Sequence, residues 1–141
     1  MRGVRRRAVL AVMMLVGLGA CSSGPESLGD PNLDAGRETY GRICFSCHGG
    51  TGTGGSAPSL TSILETFPDC ETQRQWVTLG SERWKEEVGP VYGAPGREIT
   101  AIMPSFEAVL TAEEIQQVVS FERFRFGGGE IAAVLTDCEL G

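Results

Sequence analysis

The segment Cys44-Phe45-Ser46-Cys47-His48 constrains this chain more than any other. Residues three apart on a helix are neighbours, with Cβ atoms about 5 to 6 Å apart. Both thiols can therefore reach the two vinyl groups of one porphyrin, and the imidazole that follows falls where it can ligate the iron. In an exported protein this spacing signals a covalently attached haem. Two other chemistries also use paired cysteines. A thioredoxin-type dithiol belongs to a βαβ setting, whereas here a helical stretch runs into a run of glycines. A zinc site would need Cys70 and Cys138 as partners, and those are scattered rather than paired at ligand spacing.

Covalent haem requires export, and the N-terminus reads that way. Arg2, Arg5, Arg6 and Arg7 form a basic stretch, residues 8–18 an apolar run, and Gly19-Ala20 leads into Cys21. This order predicts an export signal over residues 1–20, taken by the general secretory route. The apolar run is shorter than the roughly 20 residues a membrane span needs. Small residues before a cysteine resemble a bacterial lipoprotein processing site, which makes Cys21 the lipidated first residue of an extracytoplasmic protein on a periplasmic or outer face. The alternative is an ordinary secretory signal cut nearby, with Cys21 a stray thiol. The four leading arginines are a third of the 12 basic residues and none of the 18 acidic ones lies among them, so the remainder carries 8 basic against 18 acidic residues, a formal charge of −10. That charge argues against nucleic acid or anionic lipid headgroups as partners. Attachment to the membrane then falls to acyl chains on Cys21.

The second axial ligand follows by elimination. His48 is the only histidine, and Met103 is the only methionine besides Met1, Met13 and Met14 of the export segment. Pro104 disfavours a helical conformation at Met103, so the thioether is expected on an extended loop facing the open side of the haem.

The rest of the chain is read around that site. Residues 21–33 are small, polar and turn-prone, a flexible tether; residues 34–127 form one domain and 128–141 a C-terminal tail. Asp34 is expected to cap a helix running through Arg37, Tyr40 and Ile43 to about Cys47, stopped by Gly49 and Gly50. The five glycines of residues 49–55 form a loop, without the lysine ending or preceding strand of a phosphate loop. Their expected role is close passage past the haem edge. A second helix is expected over residues 72–79 and none over 88–96. The last helix opens on a capping box, Thr111 with Glu114, and ends at Gly127. No alternating strand pattern is present, so the fold class is all-α: a small helical domain around one haem. Trp76, Trp84, Tyr92 and Arg97 are candidates to donate hydrogen bonds to the haem propionates, against ordinary core or surface roles. Cys70 and Cys138 are expected to pair in an oxidising compartment, pinning the tail to the domain; two free thiols or an intermolecular link are the alternatives.

With these residues in place, the chain resembles class I cytochromes c over about residues 34–127. Gly36, Tyr40 and Cys44 are similar to that family's glycine, aromatic and first haem cysteine at four-residue steps, the glycine allowing the first and last helices to cross closely. Val118 and Phe121 resemble the matching apolar pair of the last helix. The segment Ala57-Pro58-Ser59-Leu60 resembles the family's turn in which the proline carbonyl accepts a hydrogen bond from the axial histidine, and Met103-Pro104-Ser105-Phe106 resembles its methionine loop. The resemblance implies that the Pro58 carbonyl fixes the tautomer of His48 and tunes the iron. Residues 80–97 match no part of that pattern.

The expected cofactor is thus one haem c, bound by Cys44 and Cys47 and ligated by His48 and Met103. With both axial positions filled, the expected function is one-electron transfer, not enzymatic turnover. A His-based triad or general base is excluded because the one histidine is committed. The expected partner is a membrane or periplasmic oxidoreductase, a respiratory complex or dehydrogenase, presenting a basic surface. The alternative keeps the haem and detaches Met103, leaving a five-coordinate sensor or peroxidase-like enzyme.

Overall fold

Asp30-Pro31 opens the first helix. The Asp30 carboxylate accepts from the backbone N–H groups of Asn32 at 2.8 Å and Leu33 at 3.3 Å, and Pro31 takes the first helical position, where a missing N–H is harmless. The computed structural model describes residues 24–141; the expected export signal and the expected lipidated Cys21 lie outside the described residues. Helix α1 spans Pro31–Thr39, so it starts earlier than the sequence reading placed it. Asp34, the expected cap, lies inside the first turn instead. Its carboxylate accepts from the Leu28 N–H at 3.0 Å and the Ser27 hydroxyl at 2.6 Å, and pairs with Arg37 at 3.0 Å. These bonds and the Ser27 hydroxyl hold its carboxyl below the usual carboxylate range. They also fasten residues 27–28 against the helix, and Leu28 packs on the core.

The backbone stays helical through a π-turn, Tyr40–Cys44, into α2, Phe45–His48, with the Phe45 N–H donating to the Tyr40 carbonyl five residues back. Gly49, at φ 74°, ends it. Short α3, Ile63–Thr66, follows the glycine loop, and α4 spans Cys70–Glu87 with a break at Gly80, φ 67° and ψ 178°. The expected second helix stops at this break, as glycine there demands, but helix resumes at Ser81. A hairpin of β1, Val91–Tyr92, and β2, Arg97–Glu98, pairs antiparallel with Val91 opposite Glu98. Two-residue strands are too short to show alternation, which is why the sequence carries no strand signal. Glycines at positive φ, Gly93 and Gly96, turn the hairpin.

Helix α5, Ala112–Arg125, has the expected capping box: the Glu114 N–H donates to Thr111 Oγ1 at 3.1 Å and the Thr111 N–H to the Glu114 carboxylate at 2.9 Å. It crosses α1 at Gly36, where a Cβ would overlap the Gln117 carbonyl and sit 2.8 Å from Phe121 Cβ. Only glycine allows that approach. Leu33, Val118 and Val119 are sealed in the contact. The tail folds as α6, Ile131–Asp137, with Val134 buried. Cys138 lies fully buried against Cys70 at the start of α4, with Cα atoms 5.2 Å apart and sulfurs at bonding distance. The described residues are mostly helical, and no helix among them is long and apolar enough to cross a membrane.

Candidate functional site

The π-turn and α2 carry Cys44, Cys47 and His48 to one wall of a cavity of about 400 Å³. Cys44 is half-buried and Cys47 exposed. The glycine loop then doubles back on this wall. The His48 carbonyl accepts from the Gly54 N–H at 3.1 Å, the Cys47 carbonyl from the Ala57 N–H at 3.2 Å, and the Gly52 carbonyl from the Leu60 N–H at 2.7 Å. The Tyr40 hydroxyl donates to the Gly49 carbonyl at 2.6 Å. The fold-back sets Pro58 O 3.0 Å from His48 Nδ1. A carbonyl only accepts, so Nδ1 carries the hydrogen and Nε2 keeps its lone pair for a metal. Burial holds the His48 pKa below its ordinary value and so favours the neutral ligand form, with the Pro58 bond working in the opposite direction.

None of the loop glycines lines the cavity, although Ser56 and Ala57, which follow them, do. The glycines are small for other reasons. A Cβ on Gly52 would meet the Phe126 ring at 2.5 Å, and one on Gly55 the Cys47 carbonyl at 2.9 Å. The glycines let the loop close on α2 and on the end of α5.

The segment from Arg97 to Met103, with Pro104 and Phe106, lines the same cavity. Met103 is half-buried and non-helical. Its strand is clamped to the break in α4: Ser81 N–H donates to Met103 O at 2.9 Å, and Met103 N–H donates to Ser81 Oγ at 3.0 Å. Ser105 Oγ adds a bond to Thr78 O at 2.7 Å, and Phe106 N–H one to Val77 O at 3.3 Å. At Gly80 a Cβ would fall 2.5 Å from Ser105 N and 2.6 Å from Met103 O. The break therefore frees backbone for bonding and leaves room for the loop to use it.

Leu60, Ile63, Phe67, Trp76, Val77 and Tyr92 give the cavity a largely apolar lining. Trp76 stacks on Tyr92 with ring centroids 4.5 Å apart. Of the four expected propionate donors, Trp76, Tyr92 and Arg97 line the cavity. Trp84 does not; its indole N–H is spent on the Val91 carbonyl at 2.9 Å, fastening α4 to the hairpin. Arg97 has no carboxylate partner among the described residues.

The family model of cytochrome c oxidase, cbb3-type, subunit III, matches residues 31–121. The chain belongs to that family. No curated protein matches it. It is therefore a c-type cytochrome domain, in line with the class I resemblance, and its chemistry is haem-based electron transfer. Domains of this family are generally electron carriers rather than enzymes, and typically extracytoplasmic.

The cavity of this cytochrome domain fits the group. An apolar macrocycle with two carboxylates needs an apolar lining, soft and imidazole donors, and a cation; the apolar lining residues, Met103 and His48, and Arg97 answer these in turn. Among the described residues Cys70 and Cys138 do not join Cys44 and Cys47 in a zinc site; their sulfurs lie at bonding distance from each other.

Two polar residues at the back of the cavity escaped the sequence reading. Gln73 and Glu122 are both almost fully buried, and Gln73 Nε2 donates to Glu122 Oε2 at 3.0 Å. Burial pushes the Glu122 carboxyl up to about 8, partly offset by the bonds from Gln73 and Cys44. Burial, with the Glu122 charge second, likewise raises the Cys44 thiol and the Tyr40 hydroxyl. The neighbouring Arg123 is buried too, bonded to the carbonyls of Phe67 at 2.8 Å and Pro68 at 3.1 Å and paired with Asp137 at 2.6 Å. The available signal was helical spacing: Glu122 follows Val118, and Arg123 follows Val119, by four residues, which puts both on the buried side of α5.

Proposed function

We propose that this chain is a single-haem electron carrier, with haem c attached through Cys44 and Cys47 and its iron held between His48 Nε2 and Met103. The observation that carries the reading is that a tautomer-fixed imidazole, two thiols and the domain's one methionine outside the export segment line one apolar cavity. When bound, the haem supplies one-electron exchange between ferric and ferrous iron. Pro58 orients the imidazole, and the clamp from Ser81 holds the thioether across from it. Arg97, Trp76 and Tyr92 are positioned to receive the propionates. With His48 and Met103 both holding the iron, external ligands would find no open position, and the methionine would raise the potential.

The remaining readings complete the picture. Residues 1–20 serve export, Cys21 carries the lipid, residues 21–33 tether the domain of residues 34–127, and Cys70 and Cys138 form a disulfide in the oxidising compartment. The partner is a respiratory complex or dehydrogenase that offers a basic surface to the acidic domain. The cbb3-type subunit family supports a respiratory complex.

The test is the absorption spectrum of protein co-expressed with a haem-attachment system, oxidised and reduced, with and without carbon monoxide. A low-spin c-type spectrum with the methionine-to-ferric-iron band and no response to carbon monoxide is expected. A high-spin spectrum that shifts with carbon monoxide would move the protein to the five-coordinate sensor or peroxidase class, and a colourless protein would remove the haem altogether.

A further inference from the structure

Glu122 is the one carboxylate that lines the cavity from the buried interior; Glu98, the other on its wall, is exposed. It is 5% exposed, and its hydrogen-bond partner from α4 is the neutral Gln73. The groups that face it are few. The π-turn presents the Tyr40 hydroxyl and Cys44, which ceases to titrate once it is a thioether. On its own helix, Arg123 reaches it only through Gln73, and that guanidinium is already paired with Asp137 of α6. His48 and Arg97 line the same cavity, the first bonded to Pro58. Among the described residues this carboxylate has no dedicated cation, so its charge is sensitive to whatever charge the cavity holds.

We propose that Glu122 is a redox-linked proton site: it binds a proton when the haem is reduced and releases it on oxidation. The inference rests on the haem reading above. In the ferric state the cavity holds one more positive charge, which stabilises the Glu122 carboxylate. One electron from the redox partner converts ferric to ferrous iron and removes that charge. The carboxylate then takes one proton from solvent, forming an O–H bond and breaking none in the protein, and oxidation returns the proton. Burial holds this carboxyl well above the ordinary carboxylate range, so a change of charge in the cavity can decide whether it carries a proton. Electron transfer in this domain is in this way coupled to proton uptake on the inner side of the haem, apart from any coupling at the propionates.

The test is the midpoint potential of the haem-loaded protein, measured by spectroelectrochemistry from about pH 5 to about pH 10. One proton per electron means a tenfold change in proton activity moves the potential by about 59 mV, so a fall approaching that slope is expected in a window around neutral pH. Glu122→Gln should flatten the window while leaving the low-spin spectrum in place. Gln73→Leu, which keeps the carboxyl and removes the donor that lowers its pKa, should move the window to higher pH. A wild-type potential flat across the range overturns the proposal. So does an unchanged slope in Glu122→Gln, which would assign the proton to the propionates, and so does an unmoved window in Gln73→Leu. A colourless protein overturns the haem reading and this inference together, whereas a coloured protein with a flat profile overturns this inference alone.

Discussion

The His48 wall of the cavity is fastened by its own neighbourhood, and the Met103 wall is fastened by a distant helix. From Cys44 to Leu60 the chain makes one excursion, and bonds such as Ala57 to Cys47 and Pro58 to His48 close it within ten residues. Met103 instead depends on Ser81, 22 positions away, and on the room left by Gly80. Short loops close at small entropic cost, and longer ones at more. The first wall is therefore the part expected to keep its shape when the second is perturbed.

That contrast can be broken at three points. The largest effect is expected from the double replacement Cys44→Ser with Cys47→Ser. It should abolish covalent haem, so that acidified organic solvent extracts all colour; retention of colour in the protein would remove the attachment role of this wall. Next, Gly80→Ala forces an unfavourable backbone at φ 67° and a methyl into the methionine loop, at a cost of about 3 kcal/mol. The expected result is selective: haem stays covalently attached, the methionine-to-iron band disappears, and carbon monoxide binds. An intact band at unchanged melting temperature would show that the break in α4 does not position Met103. The smallest effect belongs to Ser81→Ala, which removes one side-chain acceptor and leaves the backbone bond to Met103 O, for about 1 kcal/mol. A weakened band and faster azide or imidazole exchange are expected, with melting shifted by only a few degrees.

The same contrast explains what the sequence discloses. Cys44, Cys47, His48 and Pro58 lie in one short run whose chemistry is local, so spacing alone exposes them. Met103 is legible only because no rival methionine exists outside the export segment. The residues that hold it are not legible: Gly80 reads as the end of a helix, and nothing nearby says that a second helical stretch resumes there or that a loop docks in the gap. Glu122 hides among Phe121, Phe124 and Phe126, where the apolar pattern draws the eye from the polar residue sharing its buried side. The helix start was misplaced because Asp30 and Asp34 offer the same capping chemistry, and Pro31 at the first helical position decides between them. The loop glycines were legible as a loop, but their contacts with Phe126 and Cys47 are long-range or depend on the exact fold-back.

The π-turn at Tyr40–Cys44 gives the first helix two independent angular settings. Each residue of an ordinary helix advances about 100°, so widening one turn by a residue resets the heading of everything after it. Upstream, Gly36 stays seated against Gln117; downstream, the cysteines and histidine point where the cavity requires. Deleting a single residue from this turn would leave the helix crossing untouched and swing the attachment sequence off target. The five residues act as an indexing joint between a part of the chain that builds the domain and a part that loads it.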